Sequence, residues 1–216
     1  GVSLSISHVL RYTPYTIALR KILDAGTIGE IINIDHLEPI GHLHFAHSFV
    51  RGNWRREDES SSLLLAKSCH DIDWLCAIVG RPVASVSSVG SLSFFRSENQ
   101  PATATDRCIT CPVEKNCAFS APRFYRKGLD APGSPEEYMA RVMSGDLSKD
   151  SVERALVEGP YGRCVWACDN DVVDHQSVQM EFEGGVTVSF TQAALSEGAN
   201  RKTRIYGGKG QITGDG

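Results

Sequence analysis

Along residues 4–10, Leu4, Ile6 and His8 interleave with Ser3, Ser5 and Ser7, a period of two that predicts a half-buried strand. Pro14 suits a first helical position with Thr13 as its cap. Tyr15, Ala18, Leu19, Ile22 and Leu23 then recur at helical spacing until Gly26, which predicts a helix between those two signals. Residues 28–37 read as a second strand, and residues 38–62 as a long polar loop rich in His, Arg and Trp, of a length that is usually functional or disordered. Helical spacing returns over residues 63–79, with Leu65, Cys69, Ile72, Cys76 and Val79 on one side and Gly80-Arg81-Pro82 as the stop. At about 100° per residue, Lys67, His70, Asp71 and Trp74 fall on the opposite side.

Residues 83–95 read as a strand with Ala84, Val86, Leu92 and Phe94 on one face and serines on the other. Ser134-Pro135-Glu136-Glu137 is a capping box that opens a short helix, and residues 151–157 predict another before Gly159. Residues 172–182, the turn Glu183-Gly184-Gly185 and residues 186–194 predict a β-hairpin, with short strands at 204–206 and 211–213. Six or seven strands, two strong helices and late hairpins describe an α+β fold: an open, mainly antiparallel β-sheet with helices on one face. The chain is expected to be one domain, 1–216, with a cysteine-containing excursion at about residues 97–160. A sheet face left bare by the helices predicts self-association into a homo-oligomer.

Composition narrows the class. Of 216 residues, 41% are hydrophobic and 22% charged, which excludes disordered and low-complexity chains. A net charge of −4 argues against nucleic acid or an anionic membrane as partner. No apolar run approaches the ~18 residues of a membrane span, and no basic segment opens the chain, so a cytoplasmic location is expected. The chain begins without Met, directly in strand-like sequence, which reads as a piece of a longer polypeptide.

Three groups of residues could carry chemistry. Lys67, His70 and Asp71 place an ammonium, an imidazole and a carboxylate on one helix stripe, which is general acid–base equipment, although a solvated helix face looks the same. His42, His44, His47, Arg51, Trp54, Arg55 and Arg56 fill the loop just upstream. Such donors suit an anionic or hydroxylated small molecule; surface polarity of the loop is the plainer reading. Cys108, Cys111 and Cys117 form a Cys-x2-Cys-x5-Cys cluster suited to structural zinc, with Cys164 or Cys168 as the fourth ligand; simple burial of small apolar side chains competes with it. No Gly-x-Gly-x-x-Gly follows a predicted strand, so the chain has no dinucleotide-phosphate cradle of its own.

Taken in order, the segments beginning at His8, Gly26, Val50, Lys67, Gly159 and Asp169 resemble the C-terminal domain of the glucose-fructose oxidoreductase / inositol dehydrogenase / MocA family. They read HVLRYTP, GTIGEI, VRGNW, KSCHDID, GPYGRC and DNDVVDH, and the resemblance covers almost the whole chain. It implies a dihydrodipicolinate-reductase-like domain from an NAD- or NADP-dependent oxidoreductase whose separate Rossmann domain holds the nucleotide. It also implies hydride exchange with a sugar-like or polyol carbinol. The family helix pattern falls on Ser60, Ser61, Ser62, Leu64, Ala66, Ser68, His70 and Asp73, which sets His70 on the acid–base position. Ala66 stands where the pattern is acidic, and Lys67 is a candidate for that missing polar partner. Arg11, His44, Arg51, Trp54, Asp71 and His175 are the expected substrate contacts. The rival expectation is a non-catalytic binding or scaffold protein of the same fold, zinc-stapled at Cys108, Cys111 and Cys117.

Overall fold

Thr13 caps the first helix as its position predicts: its Oγ1 accepts from the Thr16 N–H at 3.2 Å, and α1 runs Pro14–Asp24. The computed structural model describes residues 1–5, 7–198 and 200–216. The chain divides into two units, the first made of residues 1–41, 64–91 and 175–216 and the second of residues 42–63 and 92–174.

The first unit is built on a six-stranded sheet. Its strands are β1 (Ile31–Pro39), β2 (Val83–Ser91), β3 (His175–Phe182), β4 (Thr187–Ala193), β5 (Lys202–Gly207) and β6 (Gly210–Asp215), in the spatial order β2-β3-β4-β1-β5-β6. Only β1 and β4 run parallel. The predicted hairpin forms as β3–β4, its turn using positive φ at Gly184 and Gly185, which suits glycine, and the two predicted short strands pair as a second hairpin, β5–β6. Leu19 of α1, Trp74, Leu75 and Ile78 of α4 (Cys69–Val79), and the inward sheet residues Ile34, Val178, Met180, Phe182, Val188, Phe190 and Ile205 make the core. The opposite sheet face is polar, and Asp35, Ser189, Thr191, Lys202, Arg204 and Thr213 help to line a shallow concavity of about 680 Å³ there.

Several expectations change. The described residues of 1–8 form no strand, Ile6 of that predicted strand lies outside the described residues, and residues Val9–Tyr12 make a 3-10 turn. Strand alternation is only half of a strand; a neighbour must complete the ladder. The predicted helix 63–79 is broken into α3 (Leu63–Ala66) and α4, because Ser68 sends its hydroxyl to Glu38 Oε2 at 2.7 Å instead of capping a helix. The break resets the phase, so Asp71 and Trp74 are buried and Leu65 is exposed, the reverse of the predicted sides. β2 is an edge strand exposed along its whole length, so Ala84 and Val86 cover no core.

The second unit is helical. Of the predicted loop 38–62, residues 38–51 are instead the end of β1, the turn α2 (His42–Phe45) and a π-helical turn Ala46–Arg51, with Phe45, Ala46, Phe49 and Val50 buried, while residues 52–62 hold only turns and bends. Helices α5 (Ala121–Lys127), α6 (Pro135–Ser144) and α7 (Lys149–Glu158) surround Cys108, Tyr125, Ala140, Val152, Leu156 and Tyr161. Phe45, Phe49, Phe94, Phe95, Phe119 and Trp166 form a second apolar cluster of edge and stacked ring contacts.

Candidate functional site

The inward phase of β1 reads Ile34, His36, Glu38, and that of β4 reads Val188, Phe190, Gln192, so the core face turns polar toward the ends of both parallel strands. Burying those groups is costly unless each is bonded. His36 bonds Asp71 Oδ1 through Nε2 at 3.0 Å and Thr203 Oγ1 through Nδ1 at 2.8 Å. Arg201 grips Asp71 with two donors at 2.5 and 2.9 Å and reaches Glu38 Oε1 at 3.0 Å. Lys67 Nζ meets the same Glu38 oxygen at 2.6 Å. Two carboxylates therefore face two cations. Burial alone would raise the Asp71 carboxyl, but the hydrogen bonds from Arg201 and His36 outweigh it and hold Asp71 below the ordinary carboxylate range. The inward phase of β1 was a usable signal in the sequence for His36 and Glu38, and sequence reasoning missed both.

Asp71 is 0% exposed, so a dissolved ligand cannot reach it, and its expected role as a substrate contact is replaced by that of an anchor for His36 and Arg201. Lys67 is held by Glu38 at the rim of this network. One position before Asp71, His70 behaves differently. Its ring is half-buried, its Nδ1 is shielded from solvent and has no hydrogen-bond partner among the described residues, and His8 meets it edge-on with centroids 5.8 Å apart. His8, Cys69 and His70 bring their ligand atoms within 4.8 Å of one another, so this corner has the donors to hold a soft metal ion as well as to exchange a proton. Asp73, on the same face of α4 as His70, takes a two-pronged bond from Arg11 at 2.6 and 2.5 Å. The Arg11 guanidinium is thereby committed, and it keeps the Asp73 carboxyl below its usual range. His175 is exposed at the start of β3, in register with Ser91 and Ala193.

In the second unit His44 and Trp54 come together, lining a pocket of about 230 Å³ with His47, Asn53, Tyr138 and Tyr161. Aromatic faces beside amide and imidazole groups suit a hydroxylated ring. Arg51 does not line it. At 3% exposed, with Nε donating to the Arg163 carbonyl at 2.7 Å and Nη2 to the Phe119 carbonyl at 2.8 Å, Arg51 is an interior residue and cannot serve as the expected substrate contact. His47 is also interior: its Nδ1 pairs with the Tyr125 hydroxyl at 2.9 Å, and burial, with smaller effects of His44 and Arg51, lowers its pKa to about 4. Cys108, Cys111 and Cys117 line one small cavity, and Cys164 joins them, whereas Cys168 donates to the Cys164 carbonyl at 3.2 Å. Zinc finds no support there. Thiolates lie about 2.3 Å from tetrahedral zinc, hence roughly 3.8 Å from one another. Among the described residues no three of these sulfurs lie within 4.8 Å of one another.

Residues 20–216 match the profile described as "Oxidoreductase family, C-terminal alpha/beta domain". YteT of Bacillus subtilis (strain 168), named as an oxidoreductase, is 22% identical over 213 residues, which cover 97% of this chain and 47% of YteT. Scyllo-inositol dehydrogenase from Lactobacillus casei, solved with bound NAD(H) and scyllo-inositol, shares the fold with a TM-score of 0.52 at 16% identity, over 97% of this chain and 41% of that one. Myo-inositol 2-dehydrogenase from Lactobacillus plantarum gives a TM-score of 0.52 at 13% identity, over 96% and 40%. The chain spans about half the length of the curated relative it matches.

Proposed function

The chain belongs to the Gfo/Idh/MocA oxidoreductase family as a C-terminal α/β domain, and from that premise we propose that it is the substrate-binding, acid–base half of an NAD(P)-dependent oxidoreductase acting on a sugar-like or polyol carbinol. The observation that carries this reading is the open valence of His70. His36 and His47 have their Nδ1 atoms occupied by Thr203 and Tyr125, while His70 Nδ1 is shielded from solvent and unpartnered. An imidazole kept free of structural bonds is suited to take the hydroxyl proton from a carbinol oxygen and to return it in the reverse reaction.

Lys67, fixed by Glu38, supplies a positive charge with a set position. Within the second unit, His44 and Trp54 line a pocket suited to a hydroxylated ring. Gly207-Gly208-Lys209-Gly210 close the β5–β6 hairpin and do not open a helix, so these residues do not fit a dinucleotide phosphate, and the nucleotide belongs to a separate lobe. A nicotinamide carried there would accept the hydride. The family match supports this reading over a binding or scaffold protein. Self-association through the polar outer sheet face and a cytoplasmic location belong to the same proposal.

The test is turnover by the full-length gene product against a panel of cyclic polyols and aldoses, followed as nicotinamide absorbance with NAD and with NADP. Substrate-dependent reduction of either nucleotide is the expected result. A product that binds a polyol yet reduces neither nucleotide would replace the enzyme by a binding protein.

A further inference from the structure

We propose that His8, Cys69 and His70 form a three-ligand site for a soft divalent transition-metal ion, and that the ion, once bound, takes the lone pair with which His70 would act as a base. Donor atoms of the three side chains lie within 4.8 Å of one another, and all three residues are half-buried, so an ion has a way in. Around an ion of this class, nitrogen donors at about 2.0 Å and a thiolate at about 2.3 Å stand roughly 3.5 Å from one another. Rotation of the side chains can supply that difference without movement of the backbone.

Proton transfer accounts for one imidazole in this corner, not for two imidazoles and a thiol. The Nδ1 atoms of His8 and His70 are both shielded from solvent and lack a hydrogen-bond partner among the described residues. A shielded polar atom without a partner is costly, and two of them on adjacent rings, with centroids 5.8 Å apart, have a common solution in an ion that both rings can reach. The elements that carry the donors are already tied together. Arg11, in the 3-10 turn that follows His8, holds both oxygens of Asp73 on α4. Trp74 Nε1 donates to Thr16 Oγ1, which donates in turn to the Leu10 carbonyl. These bonds keep His8 beside Cys69 and His70 before any ion arrives, the preorganisation a metal site needs. Because Arg11 occupies both Asp73 oxygens, Asp73 is not a fourth ligand, and the ion keeps one position for water or another small ligand. A thiolate with two imidazoles suits the later first-row ions and not magnesium or calcium.

A neutral imidazole has one lone pair, for a proton or for a metal. The site itself does not depend on the catalytic reading of His70; its consequence rests on that reading, since an occupied site leaves His70 no basic nitrogen. Cobalt(II), added to the metal-stripped, reduced full-length gene product, tests the site. One tightly held ion per chain should give a thiolate-to-cobalt absorption in the near ultraviolet. Cys69→Ser should abolish that band and His8→Gln should weaken binding about tenfold or more, whereas Cys76→Ser, on the same helix, should leave the band in place. A wild-type protein without the band, a readout that does not depend on any variant folding, would overturn the site, and so would a band that survives Cys69→Ser. Saturating cobalt should also lower turnover about tenfold or more, with recovery on adding a chelator. Undiminished turnover with the band present would overturn the competition. Failure of the acid–base reading shows separately, as full turnover by metal-free His70→Asn.

Discussion

Lys67 and Glu38 form a 2.6 Å ion pair in which the carboxylate is 1% exposed while the ammonium reaches the rim of the fold. Glu38 also takes Arg201 and Ser68, so it shares two cations with Asp71 and fixes the break between α3 and α4. The residue that follows this break by two positions is His70. The geometry of the candidate acid–base group is therefore set from beneath the helix by a carboxylate on β1.

Replacing Glu38 by Gln keeps the shape and removes the charge. Because it strands Lys67 beside a neutral amide while Arg201 keeps its two bonds to Asp71, Glu38→Gln should cost about 3 kcal/mol of stability. Urea unfolding of the chain measures this. The double variant Glu38→Gln/Lys67→Met should recover part of the loss, since one stranded cation is gone; a double variant no better than the sum of two losses would contradict the pairing.

His47 predicts an acid-sensitive second unit. Its pKa falls from the ordinary 6.5 to about 4 on folding, so the unfolded chain binds more protons between those values and stability declines as pH drops through that window. Near pH 5 the loss attributable to His47 is about 2 kcal/mol relative to neutral pH. Melting temperature measured from pH 7.5 to 4.5 should fall more steeply for the wild type than for His47→Gln. Parallel curves would contradict it.

Caps give a local check on the helices of the second unit. Ser134 Oγ accepts from the Glu137 N–H at 3.1 Å and Ser148 Oγ from the Ser151 N–H at 3.2 Å. Ser134→Ala and Ser148→Ala should each cost about 1 kcal/mol in chemical denaturation, and a neutral result at either site would show that its helix does not depend on the cap.

What could be read from the sequence was what is local. The cap and stop of α1, the capping box of α6 and the Gly-Gly hairpin turn are each decided within a few residues, and each forms. The region 42–51 reads as polar loop because His42, His44, His47 and Arg51 disguise a turn whose Phe45, Ala46, Phe49 and Val50 are core. Asp71 and Arg51 looked like ligand contacts because charge in a sequence suggests surface, whereas both are interior groups stabilised by partners more than a hundred residues away. The break at Ser68 depends on Glu38, thirty positions earlier, and no periodicity within 63–79 reports it. His70 was reachable because the family pattern fixes its position, and the helical stripe alone would have given Asp71 equal standing.

The central claim is that His70 moves the carbinol proton, and single-turnover kinetics of the full-length gene product carrying His70→Asn tests it most directly. With substrate and nicotinamide nucleotide saturating, the variant should reduce the nucleotide ~10²–10⁴-fold more slowly than wild type, with substrate affinity and melting temperature little changed. A variant that turns over at the wild-type rate would contradict the account.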